Sequence, residues 1–142
     1  MKVKDIMTQN VASLEPKDSV ERAAQLMKEH DIGALPVCDN NNVIGIITDR
    51  DIVLRTISEG KSPKSVSVRE VMTSNPVIGR PDMNVEDATR IMGERQIRRL
   101  PVVEENTMVG IVSLGDLAVE PRAKSEANET LKEISEPCSP NI

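Results

Sequence analysis

Two short stretches of the chain place a carboxylate three residues after a hydroxyl: Thr48-Asp49-Arg50-Asp51 and Ser113-Leu114-Gly115-Asp116. Each follows a glycine and two β-branched residues, Gly45-Ile46-Ile47 and Gly110-Ile111-Val112. A strand that hands over to a helix at the hydroxyl sets the free N–H groups of a first helical turn beside the carboxylate. The carboxylate then suits the vicinal hydroxyls of a ribose, and the hydroxyl with its neighbouring N–H groups suits an anion. The same spacing is also a helix cap, and the residues alone leave both readings open. Arg98-Arg99, ahead of Leu100-Pro101-Val102, adds paired guanidinium groups of the kind that hold phosphate in bidentate fashion. On many surfaces such a pair only meets nearby carboxylates.

These stretches belong to a duplication. Val3 to Val53 and Val68 to Ala118 align without a gap at one fixed offset, with Met7 falling on Met72. Met7-Thr8-x-Asn10 returns as Met72-Thr73-x-Asn75, and Leu35-Pro36-Val37 as Leu100-Pro101-Val102. A repeat of this length points to a duplicated fold whose halves share their stability. The copies differ where phosphate chemistry is at stake, because Gly33-Ala34 stands in place of Arg98-Arg99.

Composition removes several function classes. A net charge of −5 disfavours nucleic acid as a partner, and the longest basic stretch, Arg95 to Arg99, is short. With no Phe, Tyr or Trp there is no base-stacking platform, so a planar ligand must lie between aliphatic side chains. One histidine and two separated cysteines, Cys38 and Cys138, supply neither a zinc cluster nor a disulfide framework. Without a Ser-His-Asp or Cys-His set no catalytic residue is assigned. No apolar run is long enough for a bilayer and the N-terminus lacks the core of a leader, which makes a cytoplasmic location the expectation.

The elements that must position the motifs follow from periodicity and turn chemistry. Each copy reads as a short lead (Val3 to Thr8, Val68 to Thr73), then an extended piece (Val11 to Ser13, Pro76 to Ile78). An amphipathic helix follows, ending near His30 or Arg95, with Asp18 and Glu21 as its cap and capping box in the first copy. Next come two strands, Ala34 to Cys38 and Val43 to Ile47, or Arg99 to Val103 and Met108 to Val112, joined by Asn- and Glu-rich turns. A short helix closes each copy, Asp49 to Ile57 or Leu114 to about Ala118. The order is β-α-β-β-α twice, an α+β class with helices on the outer faces of two small sheets. The division is 1–60 for the first repeat, 61–67 for the linker, 68–120 for the second repeat and 121–142 for a tail. One or two amphipathic turns around Leu131 and Ile134 and a frayed end from Pro137 to Pro140 are expected of that tail.

With the duplicated Met-Thr lead, the two Leu-Pro-Val strands and the motifs GIITDRD and GIVSLGD, the chain resembles a tandem pair of cystathionine-β-synthase (CBS) domains, the Bateman module. The likeness covers about residues 1–120, and the whole chain looks like the small stand-alone two-domain members found in bacteria. It implies two pseudo-symmetric β-α-β-β-α repeats, clefts between them, frequent homodimers and adenosyl ligands. The ligands implied are AMP, ADP, ATP, S-adenosylmethionine or NAD, bound rather than required as cofactors. By position, Asp51 and Asp116 would hold ribose hydroxyls, and Thr48 and Ser113 would lie against ribose and phosphate. Arg98 and Arg99 would meet phosphates, with a reach toward the cleft that holds Asp51. Adenine would lie among Val11, Ile32, Pro36 and Ile46, or among Val77, Ile97, Pro101 and Ile111. The function expected is a non-enzymatic sensor of adenine nucleotides that signals to a protein partner not named by the sequence. The alternative is a ligand-free assembly module whose aspartates only cap helices.

Overall fold

In the computed structural model, which describes residues 1–9 and 11–137, short leads precede each half of the chain and pack away from the repeat they begin. Two compact units result. One comprises Val11–Pro76 with Glu105–Met108, and is called here the Asp51 unit. The other comprises Met1–Asn10, Val77–Glu104 and Val109–Ile142, and is called the Asp116 unit. The units therefore cut across the repeats: each contains the lead of one copy and the body of the other.

In the Asp51 unit, α1 (Val20–His30) precedes a hairpin of β1 (Ala34–Asp39) and β2 (Asn42–Thr48). The helix begins where Ser19 accepts the N–H of Arg22, and it ends at Asp31 in the left-handed region. Asp18, expected as the cap, instead bonds the Glu15 N–H in the preceding turn at 2.8 Å. Asn40 and Asn41 carry the positive φ angles of the hairpin turn, which Asn tolerates better than most residues. Helix α2 (Asp49–Ile52) continues through a π-type turn, Val53–Ile57, rather than as one regular helix. The second copy's lead then supplies α3 (Val68–Val71) and the two-residue strand β3 (Thr73–Ser74), which pairs antiparallel with β2. Leu14, Val20, Met27, Leu35, Val37, Ile47 and the lead's Val68, Val71 and Met72 form one core.

The Asp116 unit repeats this plan. Helix α4 (Val85–Arg95) precedes the hairpin of β4 (Arg99–Glu104) and β5 (Thr107–Ser113), and α5 (Leu114–Val119) follows. Here the first copy's lead is a 3-10 turn, Val3–Asp5, and its Thr8 exchanges both backbone bonds with Ile111, at 2.8 and 3.0 Å. Val3 is fully buried in this unit's core beside Val85, Met92, Leu100, Val102 and Val112, with Met7 packed against it. The backbone ties match between units: Val20 N–H to Val66 C=O and Val68 N–H to Asp18 C=O in one, Val85 to Met1 and Val3 to Met83 in the other.

Two further expectations need correction. The extended pieces after the leads form only single parallel bridges, Leu14 with Val37 and Gly79 with Val102, because too few residues are in register to make strands. The tail carries a full helix, α6 (Lys124–Ser135), instead of a turn or two. Ala127 and Thr130 are buried where α6 packs on α4 and α5, and the Thr130 hydroxyl donates to the Thr89 carbonyl. Its apolar stripe is made of small residues, so hydrophobicity alone underestimates it. The expected frayed end falls largely outside the described residues, as does Cys138.

Gly45 and Gly110 are where each lead crosses the hairpin. A Cβ on Gly45 would lie 2.9 Å from the Thr73 carbonyl oxygen and collide with the Met72 sulfur. On Gly110 it would lie 2.9 Å from the Thr8 carbonyl oxygen and 2.7 Å from the Met7 sulfur. By contrast, Gly115 has nothing nearer than the Ser113 hydroxyl at 3.5 Å. Gly45→Ala and Gly110→Ala are each expected to lose about 1–3 kcal/mol in denaturant unfolding through overpacking. Gly115→Ala in α5 is expected to be neutral or to gain up to about 1 kcal/mol.

Candidate functional site

The β1–β2 register sets Ala34 opposite Thr48 and Pro36 opposite Ile46, while Leu35 opposes Ile47. Because side chains alternate along a strand, Leu35, Val37 and Ile47 enter the core and Pro36, Ile46 and Thr48 share the other face. In the Asp116 unit, Leu100, Val102 and Val112 enter the core. Arg99, Pro101, Ile111 and Ser113 therefore lie on the opposite face. Each unit thus carries one apolar row ending in the motif hydroxyl. Pro36 and Pro101 are buried, and Ile46 and Ile111 half-buried.

Other expected contacts of an adenine are placed differently. Ile32 packs against the core of the Asp51 unit, and Val77 and Ile97 pack against that of the Asp116 unit. Val11 is half-buried.

The motif carboxylates close reciprocal caps. Asp51 Oδ2 accepts the Thr48 N–H at 3.0 Å while Thr48 Oγ1 accepts the Asp51 N–H at 3.0 Å. Ser113 and Asp116 repeat this at 2.9 and 3.0 Å. The capping reading of the sequence is thus realised in both copies. It uses only one oxygen of each carboxylate. The second oxygens differ: Asp51 Oδ1 lies 3.8 Å from Arg55 Nη2, whereas Asp116 has no ion-pair partner among the described residues. Arg55 was not singled out by sequence, although its i+4 spacing from Asp51 was the available signal.

Arg98 and Arg99 stand at the entrance to β4, in the same unit as Ser113 and Asp116. The Arg98 carbonyl accepts the Leu114 N–H at 2.9 Å, which fixes the arginine backbone at the start of α5. Arg98 is exposed and Arg99 half-buried, and neither forms a salt bridge within the described structure. In the Asp51 unit the matching place is acidic. A Cβ on Gly33 would lie 3.0 Å from an Asp49 carboxylate oxygen, and the Gly33 carbonyl accepts the Asp49 N–H.

Among the described residues, no group of three or more His, Cys, Asp or Glu is arranged to hold a metal ion. Burial raises the Cys38 thiol above its usual pKa, a shift that a bond with Ser13 partly offsets, so the neutral thiol is favoured. Among those residues, no helix is long and apolar enough to cross a membrane.

The model of the CBS domain matches residues 3–57 and again 68–121. The chain belongs to the CBS domain family. It is a CBS pair, a regulatory module of α+β class. It is 47% identical over 133 residues to the CBS domain-containing protein YhcV of Bacillus subtilis, which covers 94% of each chain. The crystal structure of Hypoxic Response Protein I with two coordinated zinc ions superposes with a TM-score of 0.78 at 35% identity. That match covers 84% of this chain and 98% of the other. The CBS domain pair of protein MJ0100, in complex with 5-methylthioadenosine and S-adenosyl-L-methionine, superposes with a TM-score of 0.75 at 29% identity. It covers 83% of this chain and 93% of that one.

The caps have a measurable consequence. Thr48→Ala and Ser113→Ala each remove the acceptor for a first-turn N–H and are expected to cost about 0.5–2 kcal/mol in urea unfolding. A loss at only one of the two positions would mean that only one cap contributes to stability.

Proposed function

We propose that this CBS pair is a non-enzymatic module that binds adenine nucleotides or related adenosyl ligands and reports their level to a protein partner. The observation that carries the reading is the half-buried Asp116 carboxylate, which spends one oxygen on its cap and leaves the other unpaired among the described residues. Such an oxygen suits a ribose hydroxyl. Asp51 and Thr48 take the equivalent role in the other unit, as Ser113 does beside Asp116. The row Pro36–Ile46, and likewise Pro101–Ile111, offers aliphatic faces for a base in a chain without aromatic residues. Val11, Ile32, Val77 and Ile97 lie outside these rows and, being half-buried, would offer a base only the part of each side chain that the core leaves uncovered. Arg98 and Arg99 supply charge for a phosphate. The MJ0100 complex supports the ligand class, since that protein holds two adenosyl compounds on the same fold.

A homodimer working in the cytoplasm belongs to the same reading, with AMP, ADP, ATP, S-adenosylmethionine or NAD as the candidate ligands. Binding would act by stabilising one arrangement of the module over others.

The completed capping boxes favour a second reading, a ligand-free assembly module. Asparagine separates the two. Asp51→Asn and Asp116→Asn keep an oxygen for the cap but remove the charge. As ligand acceptors, each should weaken nucleotide binding in calorimetry by about 1.5–3 kcal/mol, the range for a hydrogen bond to a charged group. If none of the five ligands gives heat or a thermal shift with the wild-type protein at millimolar concentration, the assembly reading stands instead. Native mass spectrometry of freshly purified protein should show a dimer mass with a retained ligand.

A further inference from the structure

The two motif carboxylates are chemically unequal, and the inequality arises from a residue outside the motif. Arg55 Nη1 donates to the carbonyls of Val71 at 2.9 Å and Met72 at 3.3 Å. Those carbonyls belong to the end of α3 and the residue that follows it. The guanidinium is therefore anchored by the exchanged lead, which sets its Nη2 3.8 Å from Asp51 Oδ1. Oδ2 is bonded to the Thr48 N–H, and Oδ1 stands within ion-pair distance of a guanidinium before any ligand arrives. The Asp51 side chain is only 14% exposed, so water competes little for it.

The other unit reverses this arrangement. Glu120 occupies the place of Arg55, and its carboxylate turns to Arg122, accepting the backbone N–H at 3.2 Å and Nε at 2.9 Å. Among the described residues, no cation reaches the second oxygen of Asp116. At the strand entrance the Asp51 unit has Gly33 and Asp49, so it lacks the counterparts of Arg98 and Arg99.

Building on the proposed adenosyl site, we infer that Arg55 sets the ligand preference of Asp51 by charge. It competes with a neutral diol for the carboxylate, and it supplies this unit with a fixed cation for a ligand anion. Asp116 accepts a diol without that competition and depends on Arg98 and Arg99 for phosphate. Arg55 is thus a specificity residue whose loss moves a nucleoside and its phosphate in opposite directions.

The test uses adenosine and AMP as probes, titrated into the full-length chain in an Asp116→Asn background so that Asp51 binding is read. Arg55→Gln should tighten adenosine about threefold and weaken AMP about fivefold at low salt, the scale of a half-exposed ion pair. The AMP effect should shrink as salt rises. Arg55→Lys keeps the charge and should stay within about twofold of the parent for both probes, by the same scale. If Arg55→Gln fails to fold, Glu120→Arg in an Asp51→Asn background gives the converse reading. It should shift the preference of Asp116 toward AMP. Changes in the same direction for both probes, or no change, overturn the inference while leaving the adenosyl site intact. Absence of binding of either probe to the wild-type protein overturns the site and the inference together.

Discussion

The fold depends on one close approach: the backbone of a lead segment crossing a strand at a residue without a side chain. Thr73 meets Gly45 and Thr8 meets Gly110, with the carbonyl oxygen of each lead 2.9 Å from where a Cβ would stand. Because the contact is backbone to backbone, no larger residue can be accommodated by a rotamer change. The crossing holds Met72 or Met7 against the hairpin and brings Val68 and Val71, or Val3, into the core beneath it. A single repeat has a helix and a hairpin but lacks this cover. The apolar side of its sheet is closed only when the other copy's lead arrives, and this accounts for the return of the Met-Thr pair with the motif glycine.

The same constraint shapes the site. With the core side of each hairpin occupied by alternate residues, the remaining row must face away from it. Pro36, Ile46 and Thr48 are therefore presented together, as are Pro101, Ile111 and Ser113. The motif aspartate follows at the first helical turn, where capping holds it in place. The cap and the proposed ligand contact use different oxygens, so a stable helix and a binding role are compatible in one residue.

Duplication has been followed by divergence around this shared frame. The Asp116 unit carries paired arginines at its strand entrance and is covered by α6. The Asp51 unit has Asp49 beside Gly33, and an arginine that joins the motif carboxylate to the end of α3. The differences are electrostatic, and they lie next to the groups that a ligand would touch.

Much of this is legible in the chain itself. The repeat, the amphipathic helices, the hairpin strands with their turn residues and the two hydroxyl–carboxylate motifs are all local patterns, read through periodicities of 3.6 and 2 and through the conformational needs of turns. Small shifts, such as Ser19 rather than Asp18 as a cap, arise because the Asp18 carboxylate is engaged by the Glu15 N–H of the preceding turn. A helix whose buried stripe is Ala and Thr gives a weak hydrophobic signal, which is why α6 exceeded expectation. The exchange of leads, the contact of Gly45 with Thr73 and the reach of Arg55 to Val71 and Met72 join residues far apart in sequence. No local pattern encodes them, because they exist only once packing brings the segments together. The sequence by itself determined where the helix caps and the proposed ligand contacts stand; the tertiary structure decided which lead covers each hairpin and what anchors the guanidinium beside Asp51, because those contacts join distant segments.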